Sequence, residues 1–272
     1  MTTDNTRAKA TAAEQGPLLI TNHGHVRVLT LNRPQARNAL SNALMLAMSE
    51  AVLDAEEDGN VRVVVLTGRG DAFCAGLDLK EMNAQIDAGQ RFRPPTARVE
   101  RSVFEMVLEM KKPTIAALNG SAVAGGFELA LACDLRVGHE ASQFGLPETK
   151  IGMGAHFGSV VLPRRIAPAM ALEMLMTGEY IDARRAFEVG YLNRLESNAD
   201  DVFNTAMELA QKIAHNAPIS VRRVKAVAMR GLDMPVASAL RMDPGSSPYD
   251  SEDRQEGIKA RLENRKPVWK NR

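Results

Sequence analysis

Short apolar runs alternate with longer amphipathic segments over the first half of the chain. Such runs, bounded by glycine, asparagine and aspartate, predict β-strands. His23-Gly24 lies between the first two runs, which predicts a hairpin. The third run contains an uninterrupted apolar stretch at residues 63–66, which is typical of a strand covered on both faces. The predicted strands are residues 18–22, 25–31, 61–67, 114–118 and 135–137.

Segments in which apolar positions recur every three or four residues predict helices. Ser41 is placed to cap the first of them, and Asp78 is placed to cap a short helix that begins near Leu79. Residues 84–97 are polar and contain two adjacent prolines, which predicts a mobile loop. After Phe157 the pattern predicts helices and no strands. The remaining predicted helices are residues 97–110, 129–133, 172–176, 183–189, 202–214, 219–230 and 253–264.

The alternation of predicted strands and helices indicates an α/β fold in three parts. Residues 1–16 are polar and form a disordered tail in this prediction. Residues 17–195 form the α/β core that carries the chemistry, and residues 196–272 form a helical C-terminal region. The chain has 272 residues, 45% hydrophobic and 25% charged, which is the composition of a globular protein with a sizeable core.

The overall composition argues against several classes of partner. A net charge of +1 and an aromatic content of 4% favour neither nucleic acid nor an acidic membrane surface. No apolar run reaches the roughly 18 residues that span a bilayer, and the first residues do not resemble a signal or transit peptide. Cys74 and Cys133 are expected to be reduced and buried, which predicts a cytoplasmic protein. The histidine spacing predicts no metal site, and the serines lack the nucleophile-elbow motif.

Two glycine-containing segments, residues 68–79 and 119–129, each lead from a predicted strand into a helix. The first turn of a helix has N–H groups without intrahelical partners, and the helix dipole favours a negative charge beside them. If the N–H groups around Gly76 and Gly125 converge on one oxygen, they form an oxyanion hole. In the alternative interpretation, the glycines only allow tight packing and Glu128 only satisfies a helix end.

Two carboxyl groups, those of Glu128 and Glu148, are candidates for proton transfer. Glu128 lies in the first turn after the second glycine segment, and Glu148 follows the apolar, proline-containing residues 143–147. Partial burial there would raise the pKa of Glu148 and suit it to donate a proton. From these residues alone, a surface loop carboxylate or a helix cap explains Glu148 as well.

Five motifs closely resemble those of the crotonase superfamily, in the same order and with the expected spacing, over roughly residues 17–270. A single glycine motif is weak evidence, whereas five in register are specific. They are Leu31-Asn32-Arg33-Pro34 with Asn38-Ala39-Leu40, Phe73-Cys74-Ala75-Gly76-Leu77-Asp78-Leu79, Asn119-Gly120 with Ala124-Gly125-Gly126-Phe127-Glu128-Leu129, Cys133-Asp134, and Phe144-Gly145-Leu146-Pro147-Glu148. The resemblance continues through Thr177-Gly178 and Asp182-Ala183 to Ser251-Glu252-Asp253-Arg254 and Arg265-Lys266-Pro267.

This resemblance implies a spiral of ββα units and a C-terminal helical region that forms trimers, often paired into hexamers. It implies an acyl-coenzyme A thioester substrate and no further cofactor, since coenzyme A is part of the substrate. The N–H groups of Leu77 and Gly125 correspond to the two donors that hold the thioester oxygen. The residues that correspond to the substrate- and coenzyme-A-binding surface are Ala36, Arg37, Ala75, Asp78, Leu79 and Gly126.

Glu128 and Glu148 match the two catalytic glutamates of the enoyl-CoA hydratase branch, whereas many relatives with other reactions keep one or neither. The resemblance therefore implies hydration of a 2-enoyl-CoA to a 3-hydroxyacyl-CoA, in fatty-acid or related acyl-CoA degradation. Glu128 would deprotonate the water and Glu148 would protonate the α-carbon. The alternative enzyme is an isomerase, dehydratase or hydrolase for a specialised acyl-CoA. The alternative without catalysis is an acyl-CoA-binding subunit.

The sequence departs from the hydratase pattern after Glu148. Residues 152–159 are one residue shorter than is usual there and bring His156 and Phe157 near the expected acyl pocket. These two residues either pack the following helix or restrict the acyl site, where His156 would offer a polar contact to a functionalised substrate. Residues 242–248 interrupt a region that is often helical in relatives.

Overall fold

A computed structural model gives the structure of residues 16–90 and 100–272. Nearly all of the tail predicted for residues 1–16 lies outside these ranges. The same is true of residues 91–97 in the predicted loop.

Ten strands in the described ranges form two sheets. They are β1 (Leu18–His23), β2 (Val26–Leu31), β3 (Val63–Gly68), β4 (Ala72–Cys74), β5 (Thr114–Ala117), β6 (Ser121–Val123), β7 (Leu135–His139), β8 (Gln143–Gly145), β9 (Ile181–Asp182) and β10 (Arg194–Glu196). The larger sheet has the order β1-β2-β3-β5-β7-β10, and the smaller has the order β4-β6-β8-β9. β1 and β2 form the predicted hairpin, and the larger sheet is parallel from β2 onward.

The same residues form eleven α-helices, none of which is both long and apolar enough to cross a membrane. They are α1 (Asn42–Glu57), α2 (Leu79–Asp87), α3 (Val103–Glu109), α4 (Gly125–Ala132), α5 (His156–Val161), α6 (Pro168–Thr177), α7 (Ala183–Glu188), α8 (Ala199–Ala214), α9 (Pro218–Gly231), α10 (Val236–Ala239) and α11 (Glu252–Leu262). Ser41 and Asp78 cap α1 and α2 as predicted, since each side chain accepts a hydrogen bond from a first-turn N–H.

The chain winds as a spiral of ββα units, which confirms the fold class predicted from the sequence. Three successive strand pairs, β3 with β4, β5 with β6, and β7 with β8, each place one strand in the larger sheet and the next in the smaller. β4 and β6 are parallel neighbours, so the loops at their carboxyl ends lie side by side. Because α2 and α4 begin in these two loops, the spiral brings the two glycine segments together.

Alternate side chains of β3 pack against opposite layers of the fold. Val64 and Leu66 belong to the core that contains α1, α4 and the smaller sheet. Val63 and Val65 face the other way and pack with α8. All four are completely buried, which confirms a strand covered on both faces. The helix α8, although it lies in the predicted C-terminal region, therefore packs directly on the larger sheet.

The prediction that strands end before Phe157 is wrong, because β9 and β10 lie beyond that residue. Each has only two or three residues, which is too short to show an apolar period. Pairing with β8 and β7 defines them instead. The equally short β4, β6 and β8 are absent from the prediction for the same reason.

Several helix boundaries also differ from the prediction. Residues 84–87 belong to α2 and not to a loop, because the helix capped by Asp78 continues through them. α3 begins only at Val103, after a capping box formed by Ser102 and Glu105, so residues 100–102 are not helical. α4 begins earlier than predicted, at Gly125, and α5 and α10 are further short helices.

Candidate active site

The two glycine segments meet where α2 and α4 begin. A Cβ atom built on Gly76 would lie 2.7 Å from the Cβ of Ala124 and 3.1 Å from the nitrogen of Gly125. A Cβ atom built on Gly125 would lie 3.6 Å from the nitrogen of Leu77. The fold thus brings together the backbone N–H groups of Leu77 and Gly125, a convergence that the sequence alone does not reveal.

Backbone pairing fixes the direction of the Leu77 N–H. Leu77 forms an isolated parallel bridge with Leu40. In this bridge the Leu40 N–H donates to the carbonyl of Gly76 at 2.7 Å, and the Asp78 N–H donates to the carbonyl of Leu40 at 3.1 Å. The bridge uses the neighbours of Leu77 and leaves its own N–H facing away from Leu40. Neither the Leu77 nor the Gly125 N–H has a hydrogen-bond partner among the described residues, so both are available to a ligand oxygen.

The turn from β6 into α4 passes through a strained residue, Ala124. Its φ of 53° and ψ of −129° are rarely adopted by residues other than glycine, and such strain costs of order 1–3 kcal/mol. The Ala124 N–H donates to the carbonyl of Gly145 at 2.9 Å, and its carbonyl accepts from the N–H of Glu128 at 3.0 Å. These two bonds hold the turn that presents the Gly125 N–H to the site.

Glu128 lies in the first turn of α4 with only 7% of the residue exposed. Its Oε1 accepts a hydrogen bond from the N–H of Gly158 in α5 at 2.8 Å. The pKa of Glu128 is raised to about 7, mainly by burial and also by the charge of Glu148, while the N–H groups of Gly158 and Phe157 oppose the increase. Glu128 is therefore able to hold or release a proton near neutral pH.

Glu148 lies in the 3-10 turn Pro147–Ile151 that follows β8. Only 8% of the residue is exposed, and its buried Oε2 has no hydrogen-bond partner in residues 16–90 and 100–272. Burial raises the pKa of Glu148, against an opposing effect of its own backbone N–H. The surface-loop interpretation of Glu148 is therefore wrong. This residue is a buried carboxyl group, close enough to Glu128 for their charges to interact.

The raised pKa of Glu128 predicts a pH-dependent stability difference between the wild type and Glu128→Gln. The unfolded chain loses this proton near the ordinary pKa of 4.5, whereas the folded protein keeps it up to about pH 7. The folded state binds more protons in this window, so wild-type stability falls relative to Glu128→Gln as pH rises, by at most about 3 kcal/mol. Urea unfolding of both proteins at about pH 5 and about pH 8 measures the difference, and an unchanged difference contradicts the raised pKa.

Four of the predicted coenzyme-A-binding residues lie in the loops after β2 and β4 or at the beginning of α2. The Ala75 N–H donates to the carbonyl of Arg37 at 3.0 Å, which joins the loop after β4 to the loop after β2. Arg37 and Ala75 are exposed, Ala36 is half-buried, and Leu79 is exposed at the beginning of α2. Their contact with substrate stays a prediction.

Asp78 and Gly126, the other two predicted binding residues, have partners within the protein. Asp78 accepts from the Arg33 guanidinium at 2.8 Å and from the N–H of Glu81 at 3.3 Å, and the Arg33 hydrogen bond lowers the pKa of Asp78. A Cβ atom built on Gly126 would lie 2.1 Å from the carbonyl oxygen of Cys74, so glycine here lets α4 approach β4. These contacts account for both residues structurally, and direct ligand binding by them stays a prediction.

His156 and Phe157 begin α5, immediately before the glycine that binds Glu128. The Phe157 ring is half-buried and packs against the ring of Phe104 in α3, with their centroids 5.6 Å apart. His156 is exposed. Phe157 therefore contributes to packing, while a role of either residue in an acyl pocket stays a prediction.

Gly158 and Ala124 also shape this site, although neither is among the candidate residues predicted from the sequence. A Cβ atom built on Gly158 would lie 2.6 Å from Cδ1 of Leu146 and 3.3 Å from Oε1 of Glu128. The available signal for Gly158 is a lone glycine inside a helical segment, which marks close approach. No sequence signal marks the strain at Ala124, because alanine has no preference for positive φ.

The chemistry of the site comes from backbone N–H groups and carboxyl groups. In the part of the chain that the structure describes, no group of three or more His, Cys, Asp or Glu side chains is placed to hold a metal ion. Two N–H donors of this kind can stabilise an oxygen that gains negative charge, and buried carboxyl groups with raised pKa values are suited to proton transfer. This combination suits a reaction next to a carbonyl group.

The ββα spiral, the paired N–H groups and the buried carboxyl groups define an enzyme of the crotonase superfamily. Residues 21–272 match the family described as enoyl-CoA hydratase/isomerase. The chain belongs to the enoyl-CoA hydratase/isomerase family.

The similarity to known proteins extends over almost the whole chain. A protein from Thermus thermophilus, provisionally named as an enoyl-CoA hydratase, is 40% identical over 248 residues, which are 90% of this chain and 97% of the relative. The carnitinyl-CoA dehydratase of Salmonella paratyphi B is 37% identical over 263 residues, 94% of this chain and 98% of the relative. The crystal structure of an enoyl-CoA hydratase from Bacillus anthracis is 35% identical, has a TM-score of 0.86, and covers 94% of this chain and 100% of its own.

Proposed function

We propose that the protein is an enoyl-CoA hydratase, which adds water syn across the double bond of a 2-enoyl-CoA to give a 3-hydroxyacyl-CoA. The observation that carries the proposal is the pair of buried carboxyl groups, Glu128 and Glu148, on segments adjoining the N–H groups of Leu77 and Gly125. Coenzyme A is part of the substrate, so the proposed reaction uses no further cofactor. It belongs to fatty-acid or related acyl-CoA degradation.

The first role in this mechanism is to stabilise the thioester oxygen. When water attacks the β-carbon, electrons move through the double bond onto the thioester carbonyl oxygen, which becomes enolate-like. The N–H groups of Leu77 and Gly125 donate to that oxygen. Because both donors are already fixed by the backbone, they need no reorganisation as the charge develops.

The second role is proton transfer between water and the α-carbon. Ionised Glu128 removes a proton from the attacking water, and protonated Glu148 gives its proton to the α-carbon. The pair therefore holds one proton before the reaction and one after it. Burial and the nearby charge raise the pKa of Glu128, and burial raises the pKa of Glu148, which favours a state in which the pair holds a single proton.

Gly76→Ala is expected to lower kcat about 100-fold or more, since loss of one oxyanion donor costs about 10²–10³ in kcat. Gly76 has a φ of +93°, and a new Cβ would press on Ala124 and on the Gly125 nitrogen, which displaces the donors. Gly24→Ala is the matched control, because Gly24 has a φ of +61° but no atom within 4 Å of the new Cβ. Steady-state kinetics of the wild type, Gly76→Ala and Gly24→Ala test this expectation. Equal kcat values in the two variants contradict the assignment of the oxyanion donors.

A panel of 2-enoyl-CoA substrates, graded by chain length and branching, tests the proposed function. Hydration is supported if the enoyl absorbance is lost and mass spectrometry identifies a 3-hydroxyacyl-CoA product. A product of unchanged mass supports an isomerase, and free coenzyme A supports a hydrolase. Tight binding of coenzyme A esters without turnover of any of them supports a non-catalytic binding subunit.

A dehydratase acting on a functionalised 3-hydroxyacyl-CoA is the second candidate. The observation that favours it is the 37% identity with a carnitinyl-CoA dehydratase. The same two carboxyl groups run the reverse reaction, with Glu148 removing the α-proton and Glu128 protonating the departing hydroxyl. The kcat/KM value for carnitinyl-CoA, compared with that for an unfunctionalised 3-hydroxyacyl-CoA, distinguishes the two candidate functions.

We also propose that the protein forms a homotrimer or a dimer of trimers through its C-terminal helices. Large apolar side chains are exposed there, including Val236 and Leu240 around α10 and Leu262 at the end of α11. Exposed apolar groups of this kind favour association with another protein surface. Sedimentation equilibrium measures the assembly directly, and a monomer at all concentrations contradicts the proposal.

A further inference from the structure

Three buried aromatic rings connect the segments that carry Glu128 and Glu148. The Tyr191 ring stacks on the Phe127 ring, with centroids 4.6 Å apart and planes 9° from parallel. It also contacts the Phe144 ring, with centroids 5.4 Å apart and planes at 51°. Phe127 immediately precedes Glu128 in α4, and Phe144 lies in β8 shortly before Glu148. One side chain, distant in sequence, therefore touches both segments.

Tyr191 is itself held firmly by Arg136. The Arg136 Nε donates to the Tyr191 carbonyl at 2.6 Å, and the guanidinium carbon lies 5.1 Å from the Tyr191 ring centroid. The same guanidinium donates to the carbonyls of Cys133 at 2.7 Å and Ala130 at 3.4 Å, at the end of α4. Arg136 therefore holds both partners of the stack, namely Tyr191 and the helix α4 on which its ring stacks.

The Tyr191 ring, and not its hydroxyl, makes these contacts. The hydroxyl oxygen is buried and has no hydrogen-bond partner in the described ranges of the chain. Burial strongly raises the pKa of Tyr191, so the phenol stays neutral. A buried hydroxyl without a partner lowers stability, and its removal is therefore expected to be harmless.

We propose that Tyr191 is a positioning residue that sets the separation of the Glu128 and Glu148 carboxyl groups. The inference rests on the function proposed above, in which these groups share one proton. Two nearby carboxylates repel each other, and here they stand on different elements, one on α4 and one after β8. The stacked rings attach both segments to one fixed point, because aromatic pairs combine a large buried area with a preferred geometry.

Tyr191→Leu and Tyr191→Phe separate the effect of the ring from that of the hydroxyl. Tyr191→Leu keeps the position apolar but removes both ring contacts, so the carboxyl groups can move apart and admit water. We expect kcat to fall at least about tenfold, as displacements of about 1 Å commonly cost more than that. Tyr191→Phe keeps the ring, so we expect its kcat to stay within about twofold of the wild type.

A readout that needs no reaction accompanies the kinetics. Carbon-13 NMR of glutamate carboxyl groups, with Glu128 assigned from Glu128→Gln, gives the titration midpoint of Glu128 in the substrate-free protein. In the folded wild type, burial raises the pKa of Glu128 to about 7. We expect it to fall towards its ordinary value in Tyr191→Leu, because Glu148 is then farther away and water has entered. Tyr191→Phe is expected to retain the wild-type midpoint.

Phe203→Leu is the control for a simple loss of packing. Phe203 lies in α8, is half-buried and packs against the core on the opposite face of the larger sheet. Its substitution is expected to lower the Tm without changing kcat or the Glu128 midpoint. Should Tyr191→Leu not fold, Phe144→Leu removes only the contact on the Glu148 side and is expected to give the same two changes, reduced in size.

Two results overturn the inference. One is a folded Tyr191→Leu or Phe144→Leu protein that keeps both the kcat and the Glu128 midpoint of the wild type. The other is a Tyr191→Phe protein that loses as much as Tyr191→Leu. A wild type that hydrates no 2-enoyl-CoA, together with a shifted midpoint in Tyr191→Leu, contradicts the proposed function and leaves the positioning role supported.

Discussion

Glu128→Gln is expected to lower kcat for hydration of a 2-enoyl-CoA by about 10²- to 10⁴-fold, the usual contribution of a general base. Glutamine has the same shape, and its amide oxygen still accepts the hydrogen bond that the Gly158 N–H gives to Oε1 at 2.8 Å. The site geometry is therefore retained while the base is lost. Steady-state kinetics give kcat, and coenzyme A ester binding shows whether the site remains intact.

Glu173→Gln is the matched control for this variant, because it makes the same chemical change on the exposed surface of α6. It is expected to leave kcat unchanged. Glu128→Gln should at the same time unfold at a higher urea concentration than the wild type at about pH 8, because a carboxylate that is costly to ionise has been removed. Full activity in Glu128→Gln contradicts its assignment as the base.

Glu148→Gln is expected to lower kcat by a similar factor, about 10²- to 10⁴-fold, because an amide cannot supply the proton that the α-carbon needs. The buried Oε2 of Glu148 has no hydrogen-bond partner within the described residues, so no structural bond to that atom is broken by the substitution. The protein is expected to fold and to bind coenzyme A esters normally. Exchange of the α-hydrogens of a bound acyl-CoA with deuterium oxide measures the lost step separately from water addition.

Glu179→Gln is the control for this second variant. The Glu179 Oε1 atom forms a surface ion pair with the Lys150 Nζ atom at 2.7 Å. Lys150 lies in the same 3-10 turn as Glu148. Exposed pairs of this kind contribute about 0–1 kcal/mol, so kcat should hardly change. If Glu148→Gln retains the wild-type rate of α-hydrogen exchange, another group is the proton donor.

The sequence predicts the elements whose signal is local. β3 follows from four adjacent apolar residues, and α1 and α2 follow from the caps Ser41 and Asp78 and from the residues after them. Glycine segments at two helix entries indicate the two backbone donors, and the family resemblance assigns them to Leu77 and Gly125. These predictions depend only on neighbouring residues or on motifs that occur in register.

Features that depend on distant contacts are not predictable from the sequence. β9 and β10 exist because β8 and β7 pair with them, and the burial of Glu148 depends on how the turn after β8 packs. The hydrogen bond from the Gly158 N–H to Glu128 joins α5 to α4. The stack of Tyr191 on Phe127 likewise joins residues far apart in the chain. None of these contacts has a local signal in the residues that make it.

Hydration of a 2-enoyl-CoA is tested most directly by the reaction of crotonyl-CoA in water labelled with both oxygen-18 and deuterium. We expect a 3-hydroxyacyl-CoA that carries oxygen-18 on the β-carbon and one deuterium on the α-carbon, added to the same face of the double bond. Mass spectrometry and proton NMR of the product give both positions. Oxygen-18 in a free carboxylic acid with release of coenzyme A, or an isomer without oxygen-18, contradicts hydration as the reaction of this enzyme.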